Sequence, residues 1–144
     1  VNKPINEIFN EDGENTFREL ETKVLQETGK HYELVVSTGG GVVLKTKNWG
    51  ILHQGIVIWL DPSRELLWER LKSDTRTRPL IRSKDPLSSL DQIIKDRYLF
   101  YKEADLRIGV GNESPEELAE LIVKKLPSII SPLKDQGEPH TIGY

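Results

Sequence analysis

The sequence predicts an α/β protein: a three-layer fold in which a parallel sheet carries helices on both faces. Three short apolar runs are continuous rather than alternating, which is typical of strands covered on both faces. They are Leu34–Val36, Ile56–Leu60 and Leu106–Val110. Segments with helical spacing lie between them, and strands that alternate with helices imply crossover connections and a parallel sheet.

Three strands make a thin sheet for this class. The chain begins with Val1 and contains no methionine, although translation starts with methionine. We therefore expect a further strand-loop-helix unit of roughly 30 residues to precede the printed sequence.

Four helices are predicted from apolar stripes and start signals. Pro62 is expected to open the second helix, because proline is tolerated in the first turn. Ser114 is the expected N-cap of the fourth, with Pro115 at its first position and Glu117 completing a capping box. The four stripes are Phe17, Leu20, Val24 and Leu25; Leu66, Leu67 and Leu71; Ile93, Ile94, Leu99 and Tyr101; and Leu118, Leu121, Ile122 and Leu126.

Two segments do not fit the alternating pattern. Residues 74–88 are charged and contain two prolines and four basic side chains, which predicts a surface loop long enough to act as a lid. Residues 131–144 contain Pro132, Gly137, Pro139 and Gly143 and predict an irregular tail.

Composition limits the classes of partner. The net charge is −3, so the chain lacks the overall basic charge that nucleic acids or anionic membranes attract. No apolar run reaches 18 residues, and the absence of cysteine excludes disulfides. His31, His53 and His140 are scattered without metal-ligand spacing, so we expect them to be structural or exposed and predict no metal ligands in these 144 residues.

The glycine run Gly39-Gly40-Gly41 follows the first predicted strand directly. It is not a dinucleotide fingerprint, because Leu44 stands where the third glycine is needed. Two interpretations remain. The turn allows a ligand to approach the backbone closely at the carboxyl end of a strand, or it serves packing alone.

Two of three arginine features also have two interpretations each. Arg18 and Glu21 share a helix face, and they form either a surface ion pair or a braced guanidinium that holds a small anion. The arginines of residues 76–80 either close over phosphates or belong to a solvated basic loop. Arg97 is by default an exposed helical cation.

Taken in order, these features resemble the shikimate kinase family, a group of small P-loop kinases similar to nucleoside-monophosphate kinases. The resemblance runs from about Ile5 to Leu126. The pieces that carry it are Ile5–Phe9, Gly13-Glu14, Phe17–Glu21, Ser37–Gly41, Trp59–Asp61, Arg78–Leu80, Arg97 with Tyr101 four residues later, Ala104-Asp105 and Ser114–Glu117.

The resemblance implies transfer of the γ-phosphate of ATP to the 3-hydroxyl of shikimate, on the route to chorismate and the aromatic amino acids. It implies that Arg78 in the lid is catalytic and reaches the phosphates, and that Pro115 and Arg70 lie near the adenine. Arg18 and Arg97 would clamp the substrate carboxylate, with Glu21 bracing them. The implied substrate-binding residues are Phe9, Phe17, Arg18, Glu21, Gly39, Gly40, Gly41 and Arg97.

The sequence departs from the family pattern in one large respect. The printed chain contains neither the phosphate-binding loop G-x-x-x-x-G-K-[ST] nor the Asp-x-Asp pair of the family. The main ligands of ATP and Mg²⁺ are therefore expected in a segment before Val1. Residues 1–130 are then an incomplete kinase domain, and the 144 residues alone are expected not to phosphorylate shikimate.

Two rival functions stay open. One is a non-catalytic relative that binds shikimate or regulates a partner without a phosphate-binding loop. The other is a related small-molecule kinase, such as a gluconate kinase. For the favoured function we expect shikimate and ATP as the only partners of a monomer, without nucleic acid or membrane. The expected compartment is the cytoplasm, with the plastid as the alternative.

Overall fold

Helices and two strands make up the described part of the chain. A computed structural model describes residues 4–73 and 85–130. Within those residues the elements are α1 Ile5–Glu7, α2 Gly13–Thr28, α3 Thr46–Leu52, β1 Ile58–Pro62, α4 Arg64–Ser73, α5 Pro86–Tyr101, β2 Leu106–Val110 and α6 Pro115–Lys125. A π-helical turn covers Ile8–Asp12, and 3₁₀ turns cover Val42–Leu44 and Leu126–Ser128.

The sheet of the described residues is a parallel pair, β1 beside β2, with Ile58 opposite Leu106. The predicted bounds of β2 are confirmed, and Ile108 at its centre is 1% exposed. β1 begins two residues later than predicted. At that end the backbone N–H of Val57 donates to the Asp105 carboxylate at 2.7 Å, so a side chain takes the place of a ladder partner.

The predicted strand Leu34–Val36 is wrong for the described residues. This segment has no regular secondary structure, and Leu34, Val35 and Val36 are 54%, 104% and 49% exposed. A cavity of about 330 Å³, called the slot below, is lined by residues of this segment and of 56–58. A strand needs a neighbour to pair its N–H and C=O groups, and no described residue of the chain fills the slot.

Pro62 does not open the second predicted helix, so that prediction is wrong. It is the last residue of β1, and α4 begins at Arg64. The helix start is supplied instead by Ser63, whose hydroxyl accepts from the backbone N–H of Leu66 at 3.2 Å. Serine caps a helix in this way because its oxygen satisfies one of the first unpaired N–H groups.

The last residues of the predicted lid, 85–88, are the start of helix α5. Asp85 is the N-cap of α5 and accepts from the backbone N–H of Ser88 at 3.1 Å, and Pro86 occupies the first turn. Residues 85–88 therefore belong to a helix start rather than a loop, because the Asp-Pro pair is a start signal. The remainder of the predicted lid, with Arg78, and the predicted tail at residues 131–144 lie outside the described residues.

The core that supports the glycine run joins α2, α3, α5 and the 3₁₀ turn. Leu25, Val42 and Val43 are buried together, and the side chains packed against them are Trp49, Ile51, Leu52, Phe100 and Tyr101. Two side chains also anchor the 3₁₀ turn by hydrogen bonds. Asn48 donates to the carbonyl of Val42 at 2.8 Å, and Trp49 donates to that of Val43 at 3.0 Å.

The fourth predicted helix is confirmed with its start signal. Ser114 and Glu117 form the expected capping box of α6, with Pro115 in its first turn. None of the helices in the described part of the chain has both the length and the apolar character needed to cross a bilayer.

Candidate functional site

The glycine run forms a turn that leads from residues 34–38, which have no regular secondary structure, into the 3₁₀ turn Val42–Leu44. The backbone N–H of Val42 donates to the carbonyl of Gly39 at 3.1 Å, and that of Leu44 donates to the carbonyl of Gly41 at 3.1 Å. Residues 39–41 are called the glycine turn below. Its far side rests on the buried core, so its backbone is held in place.

Each glycine of the turn lies against a polar side chain from another element. A β-carbon on Gly40 would lie 2.8 Å from Tyr101 Oη and 3.2 Å from Arg97 Nη1, and one on Gly41 would overlap the Arg18 guanidinium. A β-carbon on Gly39 would lie 3.4 Å from Glu21 Oε1. The missing side chains therefore allow charged groups of α2 and α5 to approach the backbone closely.

Arg18 on α2 is held from two sides. Its Nη1 donates to Glu21 Oε2 at 2.7 Å, and the two side chains are each 13% exposed. Its Cζ lies 5.2 Å from the ring centre of Phe17 and 5.9 Å from that of Phe9. The two rings are 4.4 Å apart, so they form one aromatic wall for the guanidinium.

The hydrogen-bonding capacity of Arg18 is only partly used. A guanidinium has five N–H donors. The structure pairs Nη1 with Glu21 and places Nη2 at 3.4 Å from Glu14 Oε1, whereas the buried Nε has no partner among the described residues. Glu14 is 62% exposed, so this second contact is screened by water and weak. Arg18 is thus a braced cation with donors to spare, as an anionic ligand requires.

Arg97 and Tyr101 approach the same turn from α5. They are four residues apart, so they lie on one face of the helix. The Tyr101 hydroxyl donates to the carbonyl of Gly40 at 2.9 Å. No carboxylate in the described part of the chain pairs with Arg97. The structure therefore brings Arg18, Glu21, Arg97, Phe9 and Phe17 together around the glycine turn.

The residues implied for the nucleotide are not at this cluster. Arg70 lies in α4 and Pro115 in the first turn of α6, both at the surface, and the structure shows no contact of either with the glycine turn. Arg78 lies outside the described residues. Among those described, no group of three histidine or acidic side chains is placed to hold a metal ion.

Two aromatic residues of the site were not assigned a role from the sequence. Tyr101 was used only as part of a helix stripe and to mark the spacing from Arg97, and Trp59 only as part of a strand and its motif. Their rings stack with centres 5.7 Å apart and an interplanar angle of 27°. The four-residue spacing from Arg97 was a usable signal for Tyr101, whereas no local pattern indicates that Trp59 meets it.

The comparisons with known proteins identify the family of the chain. The model of the family described as shikimate kinase matches residues 1–127. A shikimate kinase of Prochlorococcus marinus is 58% identical over 132 residues, which cover 91% of this chain and 70% of the relative. A shikimate kinase of Synechococcus sp. is 46% identical over 134 residues, covering 93% of this chain and 70% of the relative.

Solved structures show the same fold. The shikimate kinase of Acinetobacter baumannii in complex with shikimate superposes with a TM-score of 0.79 and 33% identity, over 87% of this chain and 70% of that one. The shikimate kinase of Bacteroides thetaiotaomicron gives a TM-score of 0.75 and 27% identity, over 88% and 76%. These neighbours confirm the parallel α/β class predicted from the sequence.

Proposed function

The chain belongs to the shikimate kinase family, and from that premise we propose that it binds shikimate at the glycine turn for phosphorylation of the 3-hydroxyl by ATP. Membership of the family confirms the resemblance inferred from the order of the motifs. One observation supports the substrate proposal most directly: two arginines from different helices approach adjacent glycines of one turn.

Shikimate is a ring acid, with one carboxylate and three hydroxyls. A guanidinium matches a carboxylate because two parallel N–H donors fit its two oxygens. Arg18 has donors to spare, and no described carboxylate occupies Arg97. We assign both arginines to the carboxylate, and the backbone of Gly39, Gly40 and Gly41 to the ring and its hydroxyls. The neighbour from Acinetobacter baumannii contains shikimate, which supports this choice of ligand.

The remaining site residues have supporting roles in this proposal. Glu21 fixes the direction of the Arg18 guanidinium through the 2.7 Å hydrogen bond. Phe9 and Phe17 form the wall that keeps the guanidinium partly out of water, where its attraction for an anion is stronger. These contacts hold the Arg18 side chain in place without a ligand, so less side-chain entropy is lost when the acid binds.

The residues that the structure describes do not include a site for the nucleotide phosphates and their magnesium ion. No stretch of the printed sequence reads G-x-x-x-x-G-K-[ST], and no described metal-ligand group is present. These residues therefore support only the acceptor side of the reaction. For the nucleotide side we keep Arg78 at the phosphates and Pro115 and Arg70 near the adenine as proposals from family membership.

The slot beside residues 34–36 supports the expectation of a further strand-loop-helix unit. Leu34 and Ile56 both line it, and both are about half exposed. An extended apolar strand between them would pair with both neighbours and cover these side chains. We propose that such a strand carries the phosphate-binding loop. The second candidate, a non-catalytic shikimate-binding protein, is favoured only by the missing motif in the printed residues.

Calorimetric or tryptophan-fluorescence titration of the 144-residue chain tests the ligand. We expect shikimate to bind more tightly than gluconate, because a linear acid does not use the ring contacts. Arg18→Lys and Arg97→Lys should each weaken shikimate binding about tenfold, since lysine keeps the charge but loses the two-pronged donor. Arg64→Lys is the matched control, because Arg64 pairs with Asp91 on the surface. Preference for gluconate would end the substrate assignment.

Two measurements separate the kinase from the binding protein. The coding sequence upstream of Val1 should encode a phosphate-binding loop and an Asp-x-Asp pair, and the 144 residues alone should release no ADP with shikimate and ATP. In the complete gene product, Arg78→Ala should mainly lower kcat, whereas Arg18→Ala should mainly raise KM. An upstream sequence without either motif would favour the non-catalytic protein.

A further inference from the structure

The hydrogen bond from Tyr101 to the glycine turn fixes the orientation of a whole peptide group, the one between Gly40 and Gly41. The Tyr101 hydroxyl donates to the carbonyl oxygen of Gly40 at 2.9 Å. In a planar trans peptide the C=O of one residue and the N–H of the next point in opposite directions. By holding the Gly40 carbonyl toward α5, Tyr101 therefore turns the Gly41 N–H away from α5.

The Gly41 N–H is an unused donor beside a cation. Among the described residues no acceptor pairs with it, whereas the N–H groups of Val42 and Leu44 are both paired within the turn. Gly41 also lies against the Arg18 guanidinium. An anionic ligand at Arg18 would thus find a backbone donor next to it, provided that the peptide keeps its orientation.

The Gly40 carbonyl has a second donor close by. Arg97 Nη1 lies 3.2 Å from the position that a β-carbon on Gly40 would take, so this guanidinium is a second donor beside the same residue. Gly40 is exposed, so without that hydroxyl its carbonyl could accept from water or from Arg97, and the peptide would no longer be held in one orientation. A carbonyl turned toward Arg97 would misdirect the Gly41 N–H and occupy the guanidinium.

The ring of Tyr101 is itself held in place by the sheet. It stacks on Trp59 of β1, and the Arg107 guanidinium of β2 lies 4.6 Å from the centre of the Trp59 ring. Arg107 Nε in turn donates to Asp61 at 2.7 Å. The position of the Tyr101 hydroxyl is therefore set by side chains of both described strands.

We infer that Tyr101 is a positioning residue that aims the Gly41 N–H at the bound acid and keeps Arg97 available for it. The inference rests on the proposed function, since the acid is shikimate. Tyr101 acts through the peptide between Gly40 and Gly41, without contact to the substrate.

Tyr101→Phe tests the inference, because it removes the hydroxyl and keeps the ring on Trp59. We expect the Kd for shikimate to rise about tenfold, the value of one hydrogen bond that a ligand depends on. In amide NMR spectra of the ¹⁵N-labelled chain, shikimate should shift the Gly41 signal strongly in the wild type and weakly in the variant. Tyr98→Phe is the matched control, since Tyr98 also contacts Trp59, at 5.9 Å, from α5.

The outcomes distinguish the two proposals. If the wild-type chain binds no shikimate, the proposed function and this inference both fail. If it binds and Tyr101→Phe binds equally well with the same Gly41 shift, the inference alone is overturned. The inference would also be overturned if Tyr98→Phe weakened shikimate binding as much as Tyr101→Phe does. A fall in the melting temperature of Tyr101→Phe large enough to account for its lost affinity would overturn it as well. Either result would assign the effect to packing around Trp59.

Discussion

The Arg18 guanidinium occupies the space that a β-carbon at Gly41 would fill. The backbone of Gly41 has a φ of −87° and a ψ of −10°, which any residue adopts without strain. Glycine is therefore needed at this position for its missing side chain and not for its conformational freedom. This contact is made by a side chain of the chain itself, so the approach of a ligand to the glycine run stays a prediction.

Gly41→Ala should change both ligand affinity and stability. The methyl group would push the Arg18 guanidinium away from the turn, because the end of a long side chain moves more easily than the backbone. We expect the free energy of unfolding to fall by about 1–2 kcal/mol, because the displaced guanidinium loses its hydrogen bond with Glu21. The Kd for shikimate should rise at least about tenfold, since the displaced guanidinium no longer meets the carboxylate. Titration calorimetry and urea unfolding measure the two effects.

The control for this substitution is Gly50→Ala. Gly50 lies within α3, and a β-carbon there would meet nothing within 4 Å. Alanine should stabilise that helix by up to about 1 kcal/mol and leave shikimate affinity unchanged. If Gly41→Ala bound shikimate as well as Gly50→Ala does, Arg18 would not be the carboxylate ligand in its observed position.

Glu21 and Glu14 offer a matched pair of substitutions around one cation. Glu21 is 13% exposed and bonds Arg18 at 2.7 Å, whereas Glu14 is 62% exposed at 3.4 Å. Glu21→Gln should lower the free energy of unfolding by about 1–2 kcal/mol, because hydrogen bonds to charged groups contribute about that much. It should also weaken shikimate binding, because the guanidinium loses its brace.

Glu14→Gln should leave stability nearly unchanged and strengthen shikimate binding slightly, since a carboxylate that competes for Arg18 is neutralised. Fluorescence titration of both variants at low and high salt checks this. Equal loss of affinity in the two variants would show that Glu21 acts through overall charge and not through the direction of its hydrogen bond.

The elements with local signals were predictable from the sequence. The capping box of Ser114 and Glu117 predicts the start of α6, and the stripe that includes Phe17 and Leu25 predicts α2; the structure contains both helices. Such signals depend on residues three or four positions apart, which a single sequence displays. The charged partners Arg18 and Glu21 were visible for the same reason.

Features that depend on distant partners were not predictable. Leu34–Val36 has the composition of a strand, but a strand forms only beside a neighbour, and no described segment lies in the slot. The contact of Tyr101 with Gly40 joins residues 61 positions apart, so no window of the sequence contains it. Pro62 shows a third limit, because proline suits a strand end as well as a helix start.

The N-cap of α5 gives a prediction about pH. The pKa of Asp85 is lowered from its ordinary value of 3.8, first by the Ser88 hydroxyl, which donates to it at 2.6 Å, and then by the Ser88 backbone N–H. A carboxylate with a lowered pKa in the folded state stabilises the fold fully above pH 3.8, and this stabilisation is lost as pH falls through the lower folded-state value.

Asp85→Asn keeps a capping oxygen without the charge, so its melting temperature should be close to wild type near pH 7 and fall less steeply below pH 4. Asp85→Ala should melt lower at neutral pH because the cap is gone. Melting curves followed by circular dichroism from pH 7 to pH 2.5 compare the three proteins. If the melting temperatures of wild type and Asp85→Asn fell in parallel throughout the acid range, the loss of stability in acid would be assigned to other carboxylates. One of these is Asp91, whose pKa is also lowered by its hydrogen bond with Arg64.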